Sequence, residues 1–325
     1  MKYMKSLNIV WDLRKIVIAS IIFLSALASY SCSKEDLDGS VDSISGLGGD
    51  VFPPTEVDSW LSQEFVKPYN MEVKYRFNRF ELDLNKMLVP IKEENVKPIM
   101  EVIKKVWIEP YEQVAGPTFI KTLAPKNFVL VGSPQYNNGT ITLGEAEGGR
   151  KIVIFRLNWY KINPQTPAEI TSNKELVQSM MKTVHHEFAH TMHQITLYPV
   201  EFSNITPAGY TSSWHNIDDN EALKLGYISP YATASPNEDF AETLSRILVY
   251  GKAAFDARVA QATAIYNDPA QNKGMTYDPG AALKAKEAIV VKYLKEVWKI
   301  DVYNPTPEVK GLETLVQETI NAIVQ

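Results

Sequence analysis

The sequence has a single cysteine, Cys32, among its 325 residues. One thiol excludes an internal disulfide and a metal cluster built on thiolates. Positive charge is not in excess either, because 33 lysines and arginines face 38 aspartates and glutamates, giving a formal net charge of −5. Without a basic field, the chain is not expected to bind nucleic acid. The hydrophobic share of 45% is that of a globular protein and provides for a sizeable core.

Long hydrophobic runs are also scarce. A run of 13 apolar and small residues, Ile16–Ala28, follows a basic segment. As a helix it reaches about 20 Å, less than the roughly 30 Å hydrocarbon core of a bilayer, so a spanning helix is not expected. A basic segment followed by such a run is typical of a secretory signal peptide.

The signal-like run ends in Ala28-Ser29-Tyr30-Ser31-Cys32, which resembles the cleavage box of bacterial lipoproteins. That resemblance implies that residues 1–31 are removed and that Cys32 carries the lipid, anchoring the protein in the outer membrane. The next residues, Ser33–Asp36, resemble the acidic surface-export tag of Bacteroidota lipoproteins. Residues 32–54 are rich in Ser, Gly and Asp and are expected to form a flexible tether to a folded domain at 55–325.

Strand patterns are concentrated in the first half of the folded part and helix patterns in the second. Strands are predicted over 71–77, 128–131 and 151–155. Two early helices, 56–65 and 93–107, are expected to stop ahead of Pro68 and Pro110. Later helices are predicted over 173–195, 237–250, 253–266, 280–298 and 308–323. The pattern favours an α+β fold, with a small N-terminal sheet and a mainly helical C-terminal half, as one domain or as two lobes around a cleft.

Four of the five histidines lie within nine residues, and the segment His186-Glu187-Phe188-Ala189-His190 matches HExxH. On a helix His190 and His193 lie within about 40° of His186, so the three imidazoles share one face. An apolar stripe occupies the opposite face: Val177, Met181, Val184, Phe188, Met192 and Ile195. The spacing lets His186 and His190 hold one zinc ion, with Glu187 near enough to act on a water molecule beside it. His193 is expected beyond the ligands or on the substrate side.

A catalytic zinc needs a third protein ligand and an open fourth position. No third histidine follows at the metzincin spacing, so a carboxylate is expected. Glu238 and Glu242 share one face of the helix predicted over 237–250, opposite Phe240, Leu244, Ile247 and Leu248. Either glutamate can be the ligand, the other then fixing a ligating imidazole. Asp239 is expected on the helix surface as a partner of Arg246.

Together the two motifs resemble the gluzincin scheme of zinc metallopeptidases, with a zincin-like fold. The chain resembles the zinc-binding metallopeptidase lipoproteins of Bacteroidota, often associated with outer-membrane substrate-import systems, over most of residues 55–325. The second motif is also similar to that of the anthrax lethal factor catalytic domain, in which a tyrosine precedes Glu-x-Phe-Ala-Glu by seven residues. These resemblances imply that Glu238 is the third ligand, that Glu242 lies behind it and that Tyr231 points into the site.

The sequence therefore predicts a Zn²⁺-dependent peptidase acting on peptides or proteins, with Glu187 as general base and Tyr231 as a donor to the oxyanion. Two alternatives stay open: a non-catalytic, accessory substrate-binding lipoprotein of an import system, and a zinc amidohydrolase acting on non-peptide substrates. Aromatic residues between the two motifs form either a substrate wall or core: Tyr198, Phe202, Tyr210 and Trp214. His215, beside Trp214, is either a subsite residue or structural.

Overall fold

The computed structural model describes residues 52–77, 81–83, 85–137, 140–142, 144–147, 150–272 and 274–323. The predicted signal peptide, Cys32 and the tether up to residue 51 lie outside these residues. Within the described part, no helix combines the length and apolar character needed to cross a membrane.

A small, mostly parallel sheet occupies the N-terminal half. Its strands are β1 Glu72–Lys74, β2 Asn127–Leu130, β5 Gly144–Glu147 and β6 Lys151–Ile154, and a separate hairpin pairs β3 Gln135–Asn137 with β4 Thr140–Thr142. In the sheet the strands run in the order β1-β2-β6-β5, where the first three are parallel and β5 is an antiparallel edge. Every residue of β6 is buried, as expected for a strand covered on both faces. The strands predicted over 128–131 and 151–155 are confirmed within one residue, whereas the one predicted over 71–77 is shorter, since only Glu72–Lys74 pairs in the sheet.

The first helices continue past the prolines that were expected to stop them. The first helical path runs through α1 Glu56–Leu61, a wide turn Ser62–Val66 and α2 Lys67–Tyr69. The second runs through α3 Glu93–Ile103, a wide turn Lys104–Ile108 and α4 Glu109–Ala115, and α5 Pro117–Leu123 follows after Gly116. In each wide turn an N–H bonds the carbonyl five residues back, Lys67 to Ser62 and Glu109 to Lys104. We attribute the continuation to these π-type turns, which precede the proline and relax the helix around it.

The C-terminal half is helical, as predicted. After a short 3₁₀ turn at Leu157–Trp159, the helices are α6 Pro167–Ile195, α7 Asp219–Lys224, α8 Pro236–Tyr250, α9 Lys252–Asn267, α10 Pro279–Val297 and α11 Leu312–Ile323. Between α6 and α8 the connecting segment, residues 196–235, carries α7 and three 3₁₀ turns: Pro207–Gly209, Trp214–Asn216 and Tyr231–Thr233.

One hydrophobic cluster extends from the N-terminal helices to α11 and includes residues of both halves. Phe188 of α6 packs edge-on against three rings of the first half, Trp107, Tyr111 and Phe119. The predicted apolar stripe of α6 is buried apart from Ile195, which is 57% exposed. Ile195 is the last residue of the helix.

Candidate metal centre

The candidate site lies between α6 and α8, and local sequence determines where α8 begins. Ser235 has extended backbone angles, and its hydroxyl accepts the N–H of Glu238 at 3.3 Å. Pro236 follows at the first helical position, where a missing N–H costs nothing. This start places Glu238 in the first turn of α8, facing the histidines of α6.

Three side-chain atoms converge on one point. The Nε2 atoms of His186 and His190 lie 3.1 Å apart, and Oε2 of Glu238 lies 2.9 Å from the first and 3.2 Å from the second. Tetrahedral zinc with bonds of about 2.0–2.1 Å sets its ligand atoms about 3.3 Å apart. Two imidazole nitrogens and a carboxylate are also the donor set that zinc favours, so these residues fit a zinc ion.

The outer nitrogens of both imidazoles have contacts of their own. Nδ1 of His190 lies 2.8 Å from Nε2 of His193, and Nδ1 of His186 lies 3.1 Å from Oε1 of Glu242. Contacts of this kind fix the ring orientation and the tautomer of a ligating histidine. If Nε2 of each ring faces the ion, Nδ1 carries the proton, which His190 donates to His193. Nδ1 of His186 is a close electrostatic contact of Glu242 rather than a hydrogen-bond donor to it.

Glu242 is 1% exposed and is held by groups from three places in the fold. Lys182 of α6 contributes its Nζ at 2.8 Å, Arg246 of α8 its Nε at 3.0 Å, and Ser229 of the connecting segment donates its hydroxyl at 2.7 Å. The basic groups stabilise the buried carboxylate in its charged form. Glu242 therefore lies behind the three converging side chains rather than among them.

Tyr231 lies beside His186, with their ring centroids 5.7 Å apart and nearly parallel. Its outer side meets the ring of Trp214 edge-on at 4.8 Å. Burial, followed by the charge of Glu238, raises the pKa of Tyr231, so the phenol keeps its proton at neutral pH. Tyr231 is therefore a neutral hydrogen-bond donor at the edge of the site.

The electrostatics favour a cation at the point of convergence. Burial opposes a charged His186, but its contacts with Glu238 and Glu242 outweigh this effect and raise the pKa of His186 to about 9. Burial likewise opposes a charged Glu238, but the two imidazoles lower the pKa of Glu238 far below its ordinary value. A proton and a metal cation compete for the same imidazole nitrogen, so surroundings that hold one also attract the other. Burial raises the pKa of the neighbouring Glu187.

Most aromatic residues of the connecting segment belong to the core. Tyr198 stacks on Phe240 at 4.4 Å, Phe202 is fully buried, and Tyr210 donates to Asp239 at 3.0 Å. Trp214 is half-buried beside Tyr231, and the neighbouring His215 is exposed.

The expectation for Asp239 is wrong. Asp239 is fully buried and pairs with Lys286 of α10 at 2.6 Å, whereas Arg246 pairs with Glu242. Asp239 faces the packed side of α8, where α10 covers it. Sequence reasoning also missed Lys182 and Ser229, because nothing local to either residue reveals a partner on another element.

Comparisons with known proteins agree with this geometry. Residues 51–303 match the model of a family described as "Putative zinc-binding metallo-peptidase". A crystal structure of a protein from Bacteroides caccae with the same description aligns with a TM-score of 0.64 and 31% identity, over 84% of this chain and 97% of that chain. The curated proteins contain no match. With zinc as the family's metal and a group of two histidines and a glutamate able to hold it, the chain belongs to this family of zinc-binding metallo-peptidases.

Proposed function

We propose that this protein is a zinc-dependent hydrolase that cleaves peptide bonds, with His186, His190 and Glu238 as the metal ligands. The observation that carries the proposal is the convergence of two Nε2 atoms and one carboxylate oxygen within 3.2 Å of one another. Glu187 follows the first ligand directly in the chain. A site made only to bind substrate has no use for this half-buried carboxylate beside the ligands.

Bound zinc supplies a Lewis acid that polarises the substrate carbonyl and makes water more acidic. In the proposed reaction Glu187 takes a proton from the attacking water on a carboxylate oxygen, while the water oxygen bonds to the carbonyl carbon. The C–N bond then breaks, and Glu187 delivers that proton to the leaving nitrogen. Its raised pKa, caused by burial, suits a group that must both accept and release a proton.

Other residues of the chain bind and orient. The hydroxyl of Tyr231 donates a hydrogen bond to the carbonyl oxygen as negative charge develops there. His193 accepts from Nδ1 of His190 and would hold Nε2 of that ring toward the ion, and the carboxylate of Glu242 lies 3.1 Å from Nδ1 of His186. With three protein ligands, such an ion would remain open to water and substrate.

Glu187→Gln tests this function, because the amide keeps the shape of the side chain but cannot act as a base. We expect the variant to hold as much zinc as the wild type and to lose about 10²- to 10⁴-fold in turnover of a peptide library. Glu175→Gln is the matched control, an exposed glutamate on the same helix. Undiminished cleavage by zinc-loaded Glu187→Gln would contradict the assigned role.

Wild-type assays with the same peptide library and with a set of non-peptide amides decide between the alternatives. Cleavage that stops on chelation supports a peptidase. Hydrolysis of non-peptide amides alone would favour an amidohydrolase, and peptide binding without any hydrolysis would favour an accessory binding protein.

A further inference from the structure

A fully buried ion pair adjoins the proposed metal site and plays no part in the proposed reaction. Nζ of Lys286, on α10, lies 2.6 Å from Oδ2 of Asp239, on α8, and neither side chain is exposed. Asp239 directly follows the proposed ligand Glu238 and projects about 100° further round the helix. The pair therefore contacts α8 on a different face of the helix from the one that carries Glu238.

The same pair also contacts the connecting segment between α6 and α8. Tyr210 donates its hydroxyl to Oδ2 of Asp239 at 3.0 Å, and Lys286 donates to the carbonyl oxygen of Gly226 at 2.9 Å. Nζ of Lys286 also lies 3.8 Å from the centre of the Tyr227 ring. The connecting segment, which also carries Tyr231, is thus hydrogen-bonded to both charged side chains of the pair.

Helix α10 contacts the end of α6 as well. Tyr293, two turns beyond Lys286, donates its hydroxyl to the carbonyl oxygen of Thr196 at 2.6 Å and packs edge-on against Phe240 of α8 at 5.3 Å. Both α6 and α8 therefore have a neighbour on α10. Of these two helices, α8 is the one joined to α10 by a buried pair of opposite charges.

Stability alone is a poor explanation for such a pair. Taking two charges out of water is costly, and buried ion pairs can often be replaced by apolar side chains of similar volume without loss of stability. A buried pair with fixed donors and acceptors can instead favour one arrangement of the helices that it joins.

We propose that Lys286, Asp239 and Tyr210 are positioning residues for the metal site: they fix the rotation of α8 about its axis and hold Glu238 at its place opposite His186 and His190. The inference rests on the proposed ligand role of Glu238.

The test compares variants whose stability and metal affinity separate. Lys286→Met leaves Asp239 buried without its oppositely charged partner, and we expect it to lower both the melting temperature and the zinc affinity. The triple variant Lys286→Met, Asp239→Leu, Tyr210→Phe replaces all three polar groups with apolar groups of similar size. Lys292→Met, an exposed lysine on the same helix, is the control. Measurements are the melting temperature without zinc, the zinc Kd by chelator competition and the visible spectrum of the Co²⁺-substituted protein.

We expect the triple variant to melt near the wild type but to bind zinc about 10- to 100-fold more weakly, with an altered Co²⁺ spectrum. Wild-type zinc affinity and spectrum in a triple variant of restored stability would overturn the proposal. If the triple variant does not fold or stays destabilised, Tyr210→Phe decides, since it keeps both charges: weaker zinc binding supports positioning, and an unchanged Kd overturns it.

Glu238→Gln separates this inference from the proposed function. Unchanged zinc affinity in Glu238→Gln would refute the ligand assignment itself. A large loss in Glu238→Gln together with a wild-type Kd in the stable triple variant would refute only the positioning role.

Discussion

His190 presents one ring nitrogen to Glu238 and the other to His193, so its two nitrogens have different roles. His193 is 2% exposed and packs edge-on against the rings of Tyr198 and Phe240, which stack on each other. Burial, followed by the charge of His190, lowers the pKa of His193 to about 4, so its ring is neutral near pH 7. A neutral ring has one nitrogen free to accept, as the contact with Nδ1 of His190 requires.

Substituting His193 should weaken metal binding without removing a ligand. His193→Ala leaves Nδ1 of His190 without its acceptor, and we expect the zinc Kd to rise about 10- to 100-fold. His215→Ala, which removes an exposed histidine, is the control and should bind zinc like the wild type. Equal affinities for the two variants, measured by chelator competition, would show that His193 does not orient His190.

The residues of the site also differ in how far the sequence predicts their positions. The spacing of His186 and His190 on one helical face follows from helix geometry, and Glu238 and Glu242 could be recognised as a pair on one face. Their different positions, one among the converging atoms and one among Lys182, Ser229 and Arg246, depend on neighbouring elements. Periodicity contains no information about those neighbours.

Among the elements, α6 and α8 were predictable because each combines an apolar stripe with a polar face. Phe240, Leu244, Ile247 and Leu248 are all fully buried, as the pattern indicates. The continuation of the early helices through Pro68 and Pro110 was not predictable, because the wide turns that permit it have no simple sequence signature. Lys286 looks like an ordinary surface lysine in the middle of α10, and only its contact with Asp239 shows otherwise.

Asp58, at the start of α1, gives a pH-dependent contribution to stability that can be measured. Asp58 accepts the N–H of Thr55 at 2.7 Å and is paired with Arg76 at 2.8 Å. The hydrogen bonds from Arg76, stronger than the opposing effect of burial, lower the pKa of Asp58 to about 2 from an ordinary value of 3.8. Because the folded-state pKa is the lower one, this stabilisation is complete above pH 3.8 and is lost as the pH falls through about 2.

Asp58→Asn should therefore lower the free energy of unfolding at pH 7 by about 1–2 kcal/mol, since the pair is partly exposed and screened by solvent. The difference from the wild type should shrink as the pH falls from about 4 toward 2. Urea denaturation at several pH values measures it. Glu56→Gln, in the same helical turn, makes the same charge change without Arg76 as a partner. A destabilisation of Asp58→Asn that stays constant with pH would contradict the assignment.

At the scale of the whole molecule, the α+β class with a small sheet and a helical C-terminal half followed from the order of the patterns. The sharing of one hydrophobic cluster by the two halves did not, because it depends on Phe188 of α6 meeting Trp107 and Tyr111 of the first half. These contacts span about eighty residues of sequence, a range at which no local pattern applies.

We propose that the folded part is held at the outer membrane by a lipid on Cys32, with substrate import as its setting. Cys32→Ser should prevent lipidation, so the protein should leave the membrane fraction and appear in soluble extracts. Mass spectrometry of the N-terminus of the wild type should show a lipidated cysteine. Ser43→Ala, in the predicted tether, leaves the cleavage box and Cys32 unchanged and is the control. Membrane retention of Cys32→Ser would contradict the anchor.

The proposed function requires that one zinc ion be held jointly by α6 and α8. Anomalous diffraction at the zinc absorption edge, on crystals of residues 33–325 grown with zinc, tests this requirement. We expect one strong peak about 2.0–2.2 Å from Nε2 of His186, Nε2 of His190 and a carboxylate oxygen of Glu238. A peak bound by Glu242 in place of Glu238, or no peak between the two helices, would contradict it.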